Sequence, residues 1–112
     1  MPNSMLIVQK GYDFSKWLLN HTGKFPKSYR FSVAAKLENA IIDFIELTAI
    51  ANKRRNKLAV LNLADESLIK ARLLLRLSFE MQFINQKSYQ YGSERLVELG
   101  KMLGGWIKNP GG

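Results

Sequence analysis

Arg72 and Arg76 stand one helical turn apart inside Ala71-Arg72-Leu73-Leu74-Leu75-Arg76-Leu77, where they interrupt an otherwise apolar run. Two guanidinium groups on one helix face can grip successive phosphates, or a partner's carboxylates, through bidentate hydrogen bonds. The spacing fits an internal ion-pair network with Asp65 and Glu80 equally well, since both carboxylates fall on the same side of a helix. Sequence leaves the two readings open. Two further basic groups surround breaks in the helical pattern: Lys24, Lys27 and Arg30, with Phe25 and Tyr29 interleaved, and Lys53, Arg54 and Arg55, followed by Lys57. An up-down bundle puts consecutive loops at opposite ends. Two separate basic caps are therefore expected, with the Arg72 and Arg76 strip along the side between them.

Other chemistry has little support. His21 is the sole histidine and there is no cysteine, which excludes a disulfide framework, a thiolate zinc site and a multi-histidine metal site within one chain. Beside Asn20 and Thr22 it reads as a structural or solvated helix-end residue. Gly104-Gly105 lacks the spacing of a phosphate-binding loop. Glu38, Asp43 and Glu46 have ordinary helix-surface spacing and no histidine among them. The expectation is a non-enzyme with no metal and no cofactor. Seventeen Lys plus Arg against nine Asp plus Glu give a formal charge of +8, which favours a polyanion, with nucleic acid ahead of an anionic membrane. No apolar run approaches the roughly 18 residues of a membrane span, and the N-terminus lacks a secretory pattern. A cytoplasmic protein without a membrane partner is expected.

The elements that must position these residues are four helices in one domain over 1–112, at about 4–20, 28–55, 57–85 and 88–108. In the first, Ile7, Phe14, Leu18 and His21 share a line with Trp17 beside it. Thr22-Gly23-Lys24-Phe25-Pro26 stops it. The second carries the seam Ala34, Leu37, Ile41, Phe44, Thr48 and Ala51. The third has two apolar faces: Leu61, Ala64, Leu68, Ala71 and Leu75 on one, and Leu63, Leu74, Leu77, Met81 and Ile84 on the other. A bundle helix normally consumes one stripe, so the second face predicts packing against another subunit. The fourth helix has Leu96, Leu99, Leu103 and Trp106 on its seam. Gly92, Gly100, Gly104 and Gly105 lie within it, each costing about 1 kcal/mol relative to Ala. Close approach of another backbone near Gly104, Gly105 and Trp106 is the simplest compensation, which adds these three to the expected oligomer interface.

Three segments together resemble a known family. They are Phe25-Pro26-Lys27-Ser28-Tyr29-Arg30-Phe31, Leu73-Leu74-Leu75-Arg76-Leu77 and Leu99-Gly100-Lys101-Met102-Leu103-Gly104-Gly105-Trp106-Ile107-Lys108. The similarity, over about residues 12 to 108, is to Avd, the accessory variability determinant of diversity-generating retroelements. Its superfamily also includes four-helix-bundle proteins encoded in ribosomal-RNA intervening sequences. The resemblance implies an all-α, up-down-up-down four-helix bundle that assembles as a homopentameric ring. It also implies a non-catalytic role, binding RNA or DNA and a reverse transcriptase in mutagenic cDNA synthesis and retrohoming. Arg72 and Arg76 match the paired arginines of that family's third helix. The long basic C-terminal tail of some members has no counterpart in Asn109-Pro110-Gly111-Gly112. The alternative is an intervening-sequence protein, or a structural oligomer with no reverse-transcriptase partner.

Overall fold

Apolar side chains recurring every three or four residues give each helix one stripe that must be buried, and four such stripes close on a common core. The computed structural model describes residues 3–111, with α1 (Asn3–Thr22), α2 (Ala35–Lys53), α3 (Leu58–Glu80) and α4 (Gln86–Lys108). There is no strand among the described residues. Each helix packs on the next and α1 closes onto α4. All six residues of the second seam, Ala34 just before α2 and the other five within it, are buried, as are Leu61, Ala64, Leu68, Ala71 and Leu75 of α3 and Leu96, Leu99, Leu103 and Trp106 of α4.

Cross-helix contacts fix the directions. Asn52 near the end of α2 donates to the Ser4 carbonyl at the start of α1, while Thr22 at the end of α1 donates to the Glu38 carboxylate early in α2. Lys10 pairs with Glu98 at 3.0 Å, and the His21 ring lies 3.2 Å from the Ser88 hydroxyl. Phe79 stacks on Tyr89 with ring centroids 4.4 Å apart. Every neighbouring pair read this way is antiparallel, so the fold is the up-down-up-down bundle, 43 Å in its longest dimension.

The limits of two helices, the second and the third, differ from expectation. The second helical run begins as a 3₁₀ turn at Lys27–Tyr29 and a π turn at Arg30–Ala34 before α2 proper, and it stops at Lys53 because Arg54 turns extended. The third ends at Glu80 rather than 85. There Gln82 takes φ 64°, its N–H bonds the Phe79 carbonyl, and the Phe83 N–H bonds the Ser78 carbonyl at 2.8 Å. This double closure is a Schellman stop. Phe83 therefore leaves the α3 surface and packs on Phe25 and Tyr29, with centroid distances of 5.2 and 4.8 Å. Ile84 is buried at the same end instead of continuing an outer seam.

Glycine also falls differently. A Cβ at Gly92 would sit 3.0 Å from Leu75 and from Trp17, so close packing inside the chain explains that position. At Gly104 and Gly105, apart from the chain neighbours and the helix's own backbone, no heavy atom of the described residues lies within 4 Å of such a Cβ.

Candidate nucleic-acid interface

Lys24 follows the α1 C-terminus, and Lys27 and Arg30 lie on the helical lead-in to α2; all three are exposed. Lys53, Arg54 and Arg55 are exposed at the far end of the bundle. The fold thus separates the two groups by the length of the molecule, as the loop alternation requires. Lys57 beside the second group is engaged locally: its ammonium donates to the Ala51 carbonyl at 2.7 Å and to the Arg54 carbonyl, closing the α2 C-terminus.

Between the ends, Arg72 and Arg76 are exposed on α3 and have different surroundings. Arg76 Nε donates to Glu80 at 2.9 Å, and this hydrogen bond, with the carboxylate's charge, raises the guanidinium's pKa. Asp65 makes no ion pair within 4 Å among the described residues, and neither does Arg72. The four-residue network is therefore reduced to one exposed i,i+4 pair. The Arg72 guanidinium lies against α4 where a Cβ at Gly100 would overlap it, so Gly100 is what lets that side chain cross the α3–α4 groove.

Only four of the 17 cations, Lys10, Lys16, Arg76 and Arg95, form ion pairs within 4 Å, which leaves 13 without one among the described residues. The charge excess is thus presented to the surroundings rather than consumed inside the fold. No group of three or more His, Cys, Asp or Glu that could hold a metal ion is gathered among the described residues. His21 bridges α1 and α4, its Nδ1 2.9 Å from the Trp17 carbonyl and its ring against Trp17. That is a packing role.

The expected subunit-contact residues divide. Leu63, Leu77 and Met81 are exposed, Leu74 is half-buried, and Gly104 and Gly105 line the surface. Trp106 is 5% exposed and belongs to the core of its own chain, because the α4 seam carries it inward. Ile69 and Leu73 extend the exposed row to Ile69, Leu73, Leu77 and Met81, four residues apart. Its signal was present as an i,i+4 repeat offset from the core seam. Phe31 was also missed: it is 91% exposed, far more than any other large apolar residue.

The fold and the basic surface define a four-helix-bundle protein with a strongly cationic exterior. A family model described as bAvd-like matches residues 5–110, and the chain belongs to the bAvd-like family. That groups it with accessory proteins of the Avd type. The fold also matches the crystal structure of a protein of unknown function from the S23 ribosomal protein family of Bacteroides thetaiotaomicron. The TM-score is 0.87 at 15% identity, covering 96% of this chain and all of the other. At that identity the similarity establishes a shared fold. No curated protein matches the sequence. No helix among the described residues is long and apolar enough to cross a membrane.

Proposed function

We propose that the chain is a non-catalytic accessory protein of a diversity-generating retroelement, working in the cytoplasm and binding nucleic acid and the retroelement's reverse transcriptase to support mutagenic cDNA synthesis and retrohoming. The observation that carries this reading is the unneutralised charge: 13 cations without ion pairs among the described residues, eight of them in the two loop groups and at Arg72, on a member of the bAvd-like family. Binding of this kind is driven by release of counterions from phosphates, so it is salt-sensitive and largely indifferent to sequence. In this reading sequence choice falls to the polymerase and to RNA shape.

The working form in this proposal is a homo-oligomer, a pentamer by family resemblance. The exposed row Ile69, Leu73, Leu77 and Met81 and the open surface at Gly104 and Gly105 support such a contact. A ring of five would carry about +40, concentrating the field on one assembly.

The double variant Arg72→Glu/Arg76→Glu is the direct test. Helicity by circular dichroism and mass by light scattering are expected to stay unchanged, while gel-shift binding of RNA and capture of the reverse transcriptase weaken. Undiminished binding at both low and high salt rejects the assignment. A collapsed oligomer assigns the two arginines to subunit packing instead.

A further inference from the structure

Phe31 projects from the lead-in to α2 with 91% of its surface exposed, although every other aromatic ring nearby is occupied. Phe25 is buried, Phe25 and Tyr29 both pack on Phe83, and the Tyr29 N–H is tied to the Pro26 carbonyl at 3.0 Å. The segment carrying Phe31 is thus anchored immediately before it by an aromatic cluster and immediately after it by buried Ala34 and Leu37. The π turn at Arg30–Ala34 is the local irregularity that sets where the ring emerges, and such turns often mark functional sites.

The segment that carries the ring is cationic. Lys27 lies one turn before it and Arg30 beside it, both exposed and both without an ion pair within 4 Å among the described residues. The helix dipole does not explain these charges, because the first turns of a helical run disfavour cations. An exposed phenyl ring on an anchored segment that also carries unpaired cations is the combination that holds single-stranded nucleic acid: a base stacks on the ring while its phosphates meet the ammonium and guanidinium groups. A base within a duplex offers no free face to such a ring.

We propose that Phe31, with Lys27 and Arg30, is a stacking platform for an unpaired base, so that this end of the bundle selects single-stranded over double-stranded nucleic acid. The inference rests on the nucleic-acid-binding reading above and specifies which form of nucleic acid this end takes.

The test is fluorescence anisotropy with a labelled oligothymidylate of about 12 nucleotides and a mixed-sequence duplex of equal length, at about 0.1 M salt. Wild type is expected to prefer the single strand. Phe31→Ala should weaken the single-strand complex about tenfold and the duplex complex by less than about twofold, and Phe31→Trp should restore the preference. The exposed site makes folding of both variants expected, and circular dichroism and light scattering check it. Equal weakening on both ligands, or none on the single strand, overturns the platform. So does a Phe31→Ala variant that keeps the oligonucleotide but releases the reverse transcriptase or anionic phosphatidylserine vesicles, since the ring then belongs to a protein or membrane contact. Failure of the parent reading looks different: wild type then binds neither oligonucleotide even at low salt.

Discussion

At the end where α1 leads into α2, Lys24, Lys27 and Arg30 share a segment with Phe25 and Tyr29, whose rings both pack on Phe83, and with Phe31, whose ring is exposed. At the opposite end Lys53, Arg54 and Arg55 follow the last turn of α2, and Lys57 donates to two carbonyls there. Both ends are basic, but the helix dipole accounts for the whole group at one and, at the other, for Lys24 after the α1 C-terminus and not for Lys27 and Arg30. Cations at a helix C-terminus complement its dipole by about 0.3–1 kcal/mol each, whereas Lys27 and Arg30 sit in the opening turns, where the same interaction is unfavourable. Charge retained against a local cost is the better guide to a partner.

The largest effect expected from this contrast is structural. Phe25 is 4% exposed and supports Phe83, so Phe25→Ala should cost about 3 kcal/mol in urea unfolding. Lys57→Ala at the other end should cost about 1 kcal/mol, since it removes only capping hydrogen bonds to an accessible turn. Equal costs would mean that the two ends are built alike. Binding comes next. Lys27→Glu/Arg30→Glu should lower RNA affinity roughly tenfold or more and flatten the dependence of log K on log salt by about 1.4, at about 0.7 for each single-strand phosphate that is no longer neutralised. Its melting temperature should hold or rise slightly, as carboxylates suit that helix start. Arg54→Glu/Arg55→Glu should instead reduce binding and stability together. A drop in melting temperature for the first pair would remove the distinction.

Much of the scaffold was legible because helical periodicity and burial are two views of one constraint. Ala34, Leu37, Ile41, Phe44, Thr48 and Ala51 recur on one stripe, and all six are buried. The single histidine and the absence of cysteine likewise narrowed the chemistry by residue type alone. The features that periodicity does not reveal depend on tertiary neighbours. Which glycine meets a close neighbour depends on what lies across the groove: Gly92 faces Trp17 and Leu75 and Gly100 faces Arg72, while Gly104 and Gly105 face open surface. The outward direction of Phe31 depends on a π turn, for which no residue in Arg30–Ala34 is a marker. Asp65, Arg72 and Arg76 share a helix sector, yet only Arg76 finds a carboxylate, since Glu80 stands one turn on and Arg72 leans toward Gly100.

The smallest effect concerns how the aromatic end is closed. No glycine or proline lies between Met81 and Asn85, so the pattern reads through to 85, yet the chain stops because Gln82 adopts a left-handed conformation. That conformation delivers Phe83 to Phe25 and Tyr29, and it lets Asn85 cap α4 by accepting from the Ser88 N–H at 2.8 Å. A non-glycine residue carries a steric penalty there that glycine avoids. Gln82→Gly should therefore stabilise the fold by about 0.5–1 kcal/mol, read as a rise in melting temperature of a few degrees with unchanged RNA binding. A fall in stability would show that the Gln82 side chain contributes more to the first end than its backbone strain removes, and the aromatic cluster would then depend on a polar contact as well as on packing.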